Sequence, residues 1–364
     1  MNTKHTILIT GAAGYVGAML VEQFTAREDV ERIIGLDKEP LPELLQGIEK
    51  LNYLQINTAE HWEKEVEMHA PDIIIHTAWQ IREIYGDHEL TWLWNIDGSD
   101  KVFDFAFEHA HVKRLIHFST VASYGAFPEN SVDHRYTEDE AFRQTDYLYA
   151  EEKRITEEHL FQKYQLAEAD RPDISIAIVR PAAITGPRGR FMRIRFGLQA
   201  ALSGSLKGQK SIFYDIISLW VAWVPITPKW VRQYIHEDDV VGIVERLAFG
   251  EAAGKYEVFN ICPPGDVVRG ADMARAVGKR MLPIKPWMVR LAFFWVWHLT
   301  RGKVPTSRGS WKGYSYPIAV DGSKVTKKLG YAYMHECFDA FYYTDGRYEY
   351  SVPPDMRRNK SHDR

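Results

Sequence analysis

Short apolar runs alternate with longer segments of mixed polarity through the first half of the chain. Thr6–Thr10 (TILIT), Ile33–Asp37 (IIGLD), Tyr53–Asn57, Asp72–Ala78 (DIIIHTA), Arg114–Thr120 (RLIHFST) and Ile174–Arg180 (ISIAIVR) have the length of strands. Several are continuously apolar, the pattern of strands covered on both faces. Tyr15–Arg27, Glu60–His69, Asn95–His109 and Tyr147–Leu166 have the length of helices. Strand–helix alternation implies a parallel sheet with right-handed crossovers, so the predicted fold class is α/β, doubly wound, with a smaller carboxyl-terminal lobe. After Gly186 the alternation fades, and strand-like pieces return near Val231–Ile235 and Val258–Ile261. The expected organisation is a first domain over 1–186 with returning segments at about 231–262. A second lobe takes 187–230 and 263–350, and the polar tail 353–364 is expected to be disordered.

Composition narrows the function classes. The chain has 364 residues, 45% apolar and 26% charged, with a net charge of −4. These are the values of an ordinary globular protein and give no reason to expect nucleic acid as a partner. Cys262 and Cys337 form neither a disulfide framework nor a metal-ligand pattern and fit a reducing compartment. The start, MNTKHTILITG, enters a strand at once, without the apolar region of a secretion signal, so a cytoplasmic location is expected. Met288–Leu299 (MVRLAFFWVWHL) is strongly apolar but too short to span a bilayer. It is expected to be a buried helix or a pocket wall, with membrane-surface contact as the alternative.

The first strand runs into Thr10-Gly-Ala-Ala-Gly-Tyr-Val-Gly17, and a helical segment follows. Gly11, Gly14 and Gly17 allow a tight turn and close approach of a pyrophosphate to the free N–H groups of the helix start. Asp37 ends the next strand, about twenty residues on, where a carboxylate accepts hydrogen bonds from ribose hydroxyls and repels a 2′-phosphate. NAD is therefore expected over NADP, although Lys38 adjoins Asp37.

From here the chain resembles the short-chain dehydrogenase/reductase superfamily, in its extended class, the NAD-dependent epimerase/dehydratase family. The resemblance rests on the glycine loop with Tyr15 and Val16, Asp37, Ile75-His-Thr-Ala78, Asn95-Ile-Asp-Gly98, Phe118-Ser-Thr-Val-Ala-Ser-Tyr-Gly125, Tyr149-x-x-x-Lys153, Arg180-Pro-Ala-Ala-Ile-Thr-Gly-Pro187, Ile235-His-Glu-Asp-Asp239 and Phe259-Asn-Ile261. It implies a Rossmann domain, a small substrate lobe and NAD held for hydride transfer. It also implies adenine contact at Asn57, dinucleotide contacts at Thr77 and Ala78, and backbone at Pro181 against the nicotinamide. Trp79 stands where a small residue is common, so that side of the pocket is expected to be crowded. Asn95 would open a helix as an N-cap. His76 and His236 are expected to be structural. The family's dimers imply a homodimer through the helices near Asn95 and Tyr147.

With 19 tyrosines in the chain, a Tyr-x-x-x-Lys arises by chance about once, so Tyr149/Lys153 gains weight only from its surroundings. The chemistry suits the pair. A secondary alcohol that gives up a hydride must also lose a proton, and a tyrosine with a pKa of about 10 is a poor base at neutral pH. A lysine on the same helix face is expected to lower that pKa. Tyr149 is then the acid/base, with Lys153 its electrostatic partner and a ribose ligand. Counting back from Tyr124-Gly125, the resemblance places the hydroxyl that holds the substrate oxygen at Thr120, with Ser119 as competitor.

The substrate stays open between two classes. Arg180-Pro-Ala-Ala-Ile-Thr-Gly-Pro lacks the Asn common in nucleotide-sugar enzymes and looks more like the hydroxysteroid dehydrogenase and dihydroflavonol reductase side of the family. The aromatic stretches Ile212–Trp223 and Trp287–Trp297 could wall an apolar pocket. Against this, Arg188, Arg190, Arg193 and Arg195 cluster beyond the strand and could hold a phosphate or carboxylate, or form a solvated basic face. Val121-Ala122 replaces the Asp-Glu pair of sugar dehydratases, which argues against that elimination. The readings left are a dehydrogenase or reductase of a secondary alcohol or ketone, a nucleotide-sugar epimerase that retains NAD, and a non-catalytic NAD-binding module.

Overall fold

The computed structural model describes residues 4–189, 223–251, 253–276 and 278–361. Strands β1 (His5–Thr10), β2 (Val30–Asp37), β3 (Leu51–Gln55), β4 (Ile73–His76), β5 (Arg114–Phe118) and β6 (Ser175–Pro181) alternate with helices α1 (Tyr15–Thr25), α2 (Glu63–Glu67), α3 (His88–Trp92), α4 (Gly98–Glu108) and α5 (Leu148–Ala167). After β7 (Ala183–Thr185), β8 (Trp223–Ile226), β9 (Val231–Arg232) and β10 (Tyr234–His236) come α6 (Glu237–Phe249) and β11 (Tyr256–Ile261). β11 returns to pair with β6, completing a seven-stranded parallel sheet in the order β11-β6-β5-β4-β1-β2-β3. This is the doubly wound Rossmann arrangement expected from the strand pattern.

The continuous apolar runs follow from burial on both faces. Ile7, Ile9, Ile33, Ile73 and Ile75 pack with Ala18 and Val21 of α1 and Val240 and Val244 of α6. Their neighbours Leu8, Ile34, Leu36 and Ile74 point the other way, onto Val102 and Phe103 of α4 and Leu160 of α5. Because side chains alternate along a strand, each face takes every second residue and both faces are dry.

Asn95 does not open a helix. Asp87 is the N-cap, accepting from Leu90 N at 2.9 Å, and the helical segment starts at His88. Asn95 lies in a π-helical turn, Leu93–Asp97, between α3 and α4. Its carboxamide accepts from Gln80 N at 2.7 Å and donates to Gln80 O and to the buried Glu152 of α5. It therefore pins the loop after β4 onto the helix that carries Tyr149.

The chain continues with β12 (Val268–Arg269), α7 (Gly270–Ala276), β13 (Arg280–Pro283), α8 (Pro286–Leu299), α9 (Ser323–Leu329) and α10 (Cys337–Tyr342). The acidic first turn of α6 ties later segments to the sheet. Asp239 accepts from Tyr331 Oη and Met334 N, and Asp238 accepts from Arg347 N. The tail differs from expectation over 353–361. Thr344 and Arg358 exchange backbone and side-chain hydrogen bonds, and the Arg358 guanidinium lies over the Tyr342 ring and donates to Ala276 O. These contacts tie a polar segment down without an apolar signal in its sequence. Among the described residues no helix is long and apolar enough to cross a membrane. Cys262 and Cys337 are both free and buried.

Candidate active site

The glycine loop turns where β1 gives way to α1. Gly11 has φ +72°, and a Cβ there would stand 2.6 Å from Ala78 N, so only glycine fits both the dihedral and the approach. A Cβ on Gly17 would stand 2.1 Å from Gly11 O. Gly17 thus closes the turn against Gly11, whereas Gly11, Gly14, Tyr15 and Val16 line the cavity above it. Asp37 accepts from Ala13 N at 2.9 Å and from Glu39 N at 3.0 Å. Burial pushes its carboxyl pKa up, and these two backbone bonds act against that.

The cavity measures about 1070 Å³ and runs from this loop across the ends of the strands. Asp37, Asn57, Thr77, Ala78, Lys153 and Pro181 line it, as do Thr120, Tyr147, Tyr149, Arg232 and Tyr314. Asn57 accepts from Ala59 N, and Thr77 donates to Thr10 O, fixing the walls beside the loop. A tight glycine turn, a helix start and an acceptor carboxylate in one cavity fit a dinucleotide: Asp37 would hold the adenosine ribose, and Gly14 to Val16 the pyrophosphate.

Tyr149 and Thr120 both line this cavity. The Thr120 hydroxyl lowers the phenol's pKa, but burial is the larger effect and raises it. Thr120 Oγ1 also caps the short 3₁₀ turn after β5, accepting from Ala122 N at 3.2 Å. The capping role and the effect on Tyr149 are therefore both present. The Ser119 hydroxyl also faces the cavity wall and is buried without a hydrogen-bond partner among the described residues.

Lys153 follows Tyr149 by one turn of α5 and lines the same cavity. Its ammonium donates to Phe118 O and sits 3.5 Å from the centroid of the Trp79 ring. Burial holds its own pKa well below the usual lysine value, opposed by Glu157 and Glu152. The crowding expected at Trp79 thus takes the form of an indole stacked on the lysine.

Other predicted residues stand elsewhere. Arg188 is a correction: its guanidinium is buried, pairs with Glu22 of α1 at 2.5 Å and lies over Tyr348. It joins two parts of the fold and does not line the cavity. Arg190 lies outside the described residues, as do Arg193, Arg195 and most of the Ile212–Trp223 stretch. Tyr15 donates to Glu237, which also accepts from Arg188 N and Gly189 N. Arg180 pairs with Glu157 at 2.6 Å beneath Phe142. His76 is held between Thr10 Oγ1 and Ser99 Oγ, and His236 accepts from Asp238 N at the start of α6, both structural positions.

Two cavity residues carried no signal that was read in the sequence. Arg232 lies between the rings of Trp230 and Tyr314, 5.9 and 5.6 Å from their centroids, with no ion pair among the described residues. Glu83, in the loop held by Asn95, pairs with His88 at 3.1 Å, and burial raises its pKa. Arg232 could have been noticed four residues before His236; Glu83 sits in a loop with no spacing rule.

A model of the NAD-dependent epimerase/dehydratase family matches residues 7–262. The chain belongs to this family. It is an enzyme of the short-chain dehydrogenase/reductase type, and its cofactor is NAD. An uncharacterized protein of Mycobacterium tuberculosis (strain H37Rv) is 24% identical over 347 residues, covering 92% of this chain and 82% of its own length. The 3β-hydroxysteroid dehydrogenase/Δ5→4-isomerase of vaccinia virus (strain Ankara) is 22% identical over 193 residues, 51% of this chain and 54% of its own. The structure of UDP-glucose 4-epimerase from Thermotoga maritima superposes with a TM-score of 0.67 at 21% identity, covering 92% of this chain and 96% of its own. At that identity the likeness speaks for the fold alone.

Proposed function

We propose that the chain carries out NAD-dependent hydride transfer at a secondary alcohol or ketone, with Tyr149 as the acid/base. The observation that carries this reading is that Thr120, Tyr149 and Lys153 line the same cavity as the glycine loop. NAD, when bound, supplies the hydride acceptor or donor. Thr120 then holds the substrate oxygen, and Tyr149 Oη takes its proton on oxidation or returns it on reduction. Lys153, facing the same cavity, supplies positive charge and a donor for the ribose. Gly11, Gly14, Tyr15, Val16, Asp37, Asn57, Thr77, Ala78 and Pro181 form the cofactor half, with Gly17 closing the turn.

A second reading, a nucleotide-sugar epimerase with tightly held NAD, is favoured by Arg232. A guanidinium lining the substrate half without a carboxylate partner suits a diphosphate. Mass spectrometry of ligands on the purified protein, with NADH production from added alcohols, separates the readings. Net NADH formation supports the dehydrogenase; NAD that never leaves, with a nucleotide sugar inverted, supports the epimerase. A protein that binds NAD and turns over neither class would overturn both. The family resemblance also supports a homodimer through α4 and α5, which solution mass against the 42.1 kDa chain tests. The two free buried thiols agree with a reducing, cytoplasmic setting.

A further inference from the structure

The outer face of α8 is apolar and bare among the described residues. Trp287 is 61% exposed, Leu291 50%, Phe294 53%, Trp295 54% and Leu299 78%, with Met288 beside them, while Val289 and Trp297 are buried. Positions 287, 291, 294, 295 and 299 form one stripe at helical spacing. The sequence led to a buried helix or a pocket wall, and only the Trp297 side, which lines the cavity, meets that expectation. A contiguous bare patch of this kind marks an interaction surface.

Charge indicates what covers it. From Met273 to Val320 the sequence holds nine Lys or Arg and no Asp or Glu, in a chain with 49 acidic residues and a net charge of −4. Lys285, Arg290, Arg301, Lys303 and Arg308 are exposed around α8, and none has an ion pair among the described residues. A second copy related by a twofold axis would bring this basic surface against itself, which is repulsive. The chain's own segment 190–222 is also basic in sequence, with five Lys or Arg and one Asp. Tryptophan on an apolar stripe, ringed by lysine and arginine, matches the boundary between acyl chains and anionic headgroups. At about 1.5 Å per residue the 14-residue helix is about 21 Å long. That is short of a hydrocarbon core of about 30 Å, so the helix would lie in the surface rather than cross it.

We propose that the α8 face, with its basic rim, docks the protein on an anionic phospholipid surface. Docking brings the cavity wall at Trp297 next to lipid. The proposal does not depend on the catalytic assignment, because its readout is binding.

The test is co-sedimentation of the full chain with phosphatidylcholine vesicles, with and without phosphatidylglycerol. Wild type is expected to partition at least about tenfold more strongly onto vesicles containing phosphatidylglycerol, with high salt reducing binding. The triple variant Trp287→Ser/Leu291→Ser/Trp295→Ser, and separately Lys285→Glu/Arg301→Glu/Lys303→Glu, should each lose about tenfold or more. NAD affinity and melting temperature serve as fold controls, and Tyr149→Phe should bind vesicles like wild type. Equal partition of wild type and the apolar variant overturns the proposal. So does failure of wild type to bind either vesicle, and so does a wild-type dimer that the apolar variant makes monomeric without vesicle binding.

Discussion

Lys153 and Trp79 are stacked, the ammonium 3.5 Å from the centroid of the indole, with Phe118 O as the lysine's hydrogen-bond acceptor. The group expected to serve both Tyr149 and the cofactor ribose is thus engaged by a ring that the glycine-loop side of the cavity must accommodate. A desolvated cation–π contact is worth about 1 kcal/mol or more. Trp79→Ala should free the ammonium and tighten NAD binding about fivefold, measured by calorimetry. Weaker binding would show instead that the indole forms part of the cofactor cradle.

Tyr149→Phe removes only the hydroxyl. Turnover should fall about 10³-fold, with NAD affinity unchanged within about twofold. Because burial raises the phenol's pKa, oxidation by wild type should quicken with pH through and above neutrality, as the phenolate fraction grows. A flat profile across that range would remove Tyr149 as the base.

Asp37→Asn keeps one of the two oxygens that accept from Ala13 N and Glu39 N and removes the charge that repels a 2′-phosphate. With Lys38 adjacent, the preference for NAD over NADP should relax about tenfold, a fraction of the several kcal/mol available between close charges. Comparing kcat/KM for the two cofactors is the measurement. An unchanged ratio would mean that the ribose is held elsewhere.

His76 and His117 stack with ring centroids 5.3 Å apart inside the sheet layer. Burial takes His76 down to about 3, helped by Lys153, and lowers His117 well below its ordinary value. The unfolded histidines take a proton below about pH 6.5 while the folded ones do not. Their effect on stability is therefore flat above that pH and destabilising below it, down to about pH 3 for His76. Each excluded proton steepens the loss by about 1.4 kcal/mol per pH unit. His117 has no hydrogen-bond partner among the described residues. His117→Phe should therefore keep the packing and give a shallower loss of denaturant stability between pH 7 and 5 than wild type.

The sequence determined what depends on local spacing. The glycine turn, the start of α1, Asp37 and the Tyr149/Lys153 face each lie within one strand–helix unit, where backbone geometry fixes which residues meet. The parallel sheet was legible for a similar reason, since strands buried on both faces need apolar residues at consecutive positions. Thr120, Asn57 and Pro181, taken from the family motifs, all line the same cavity.

Tertiary structure alone decided the contacts between distant segments. Trp79 reaches Lys153, Asn95 clamps Gln80 and Glu152, and Arg188 turns to Glu22 rather than to the cavity. No local period encodes which buried cation meets which ring or carboxylate, because long side chains choose partners only after the elements pack. Helix α8 shows the same division. Its sequence is apolar almost all round, so helical periodicity could not say which side faces the protein. Packing buried Val289 and Trp297 and left Trp287, Leu291, Phe294 and Trp295 outside. The sequence supplied the apolar residues and the acid-free stretch around them, and the fold placed them together on one exposed face.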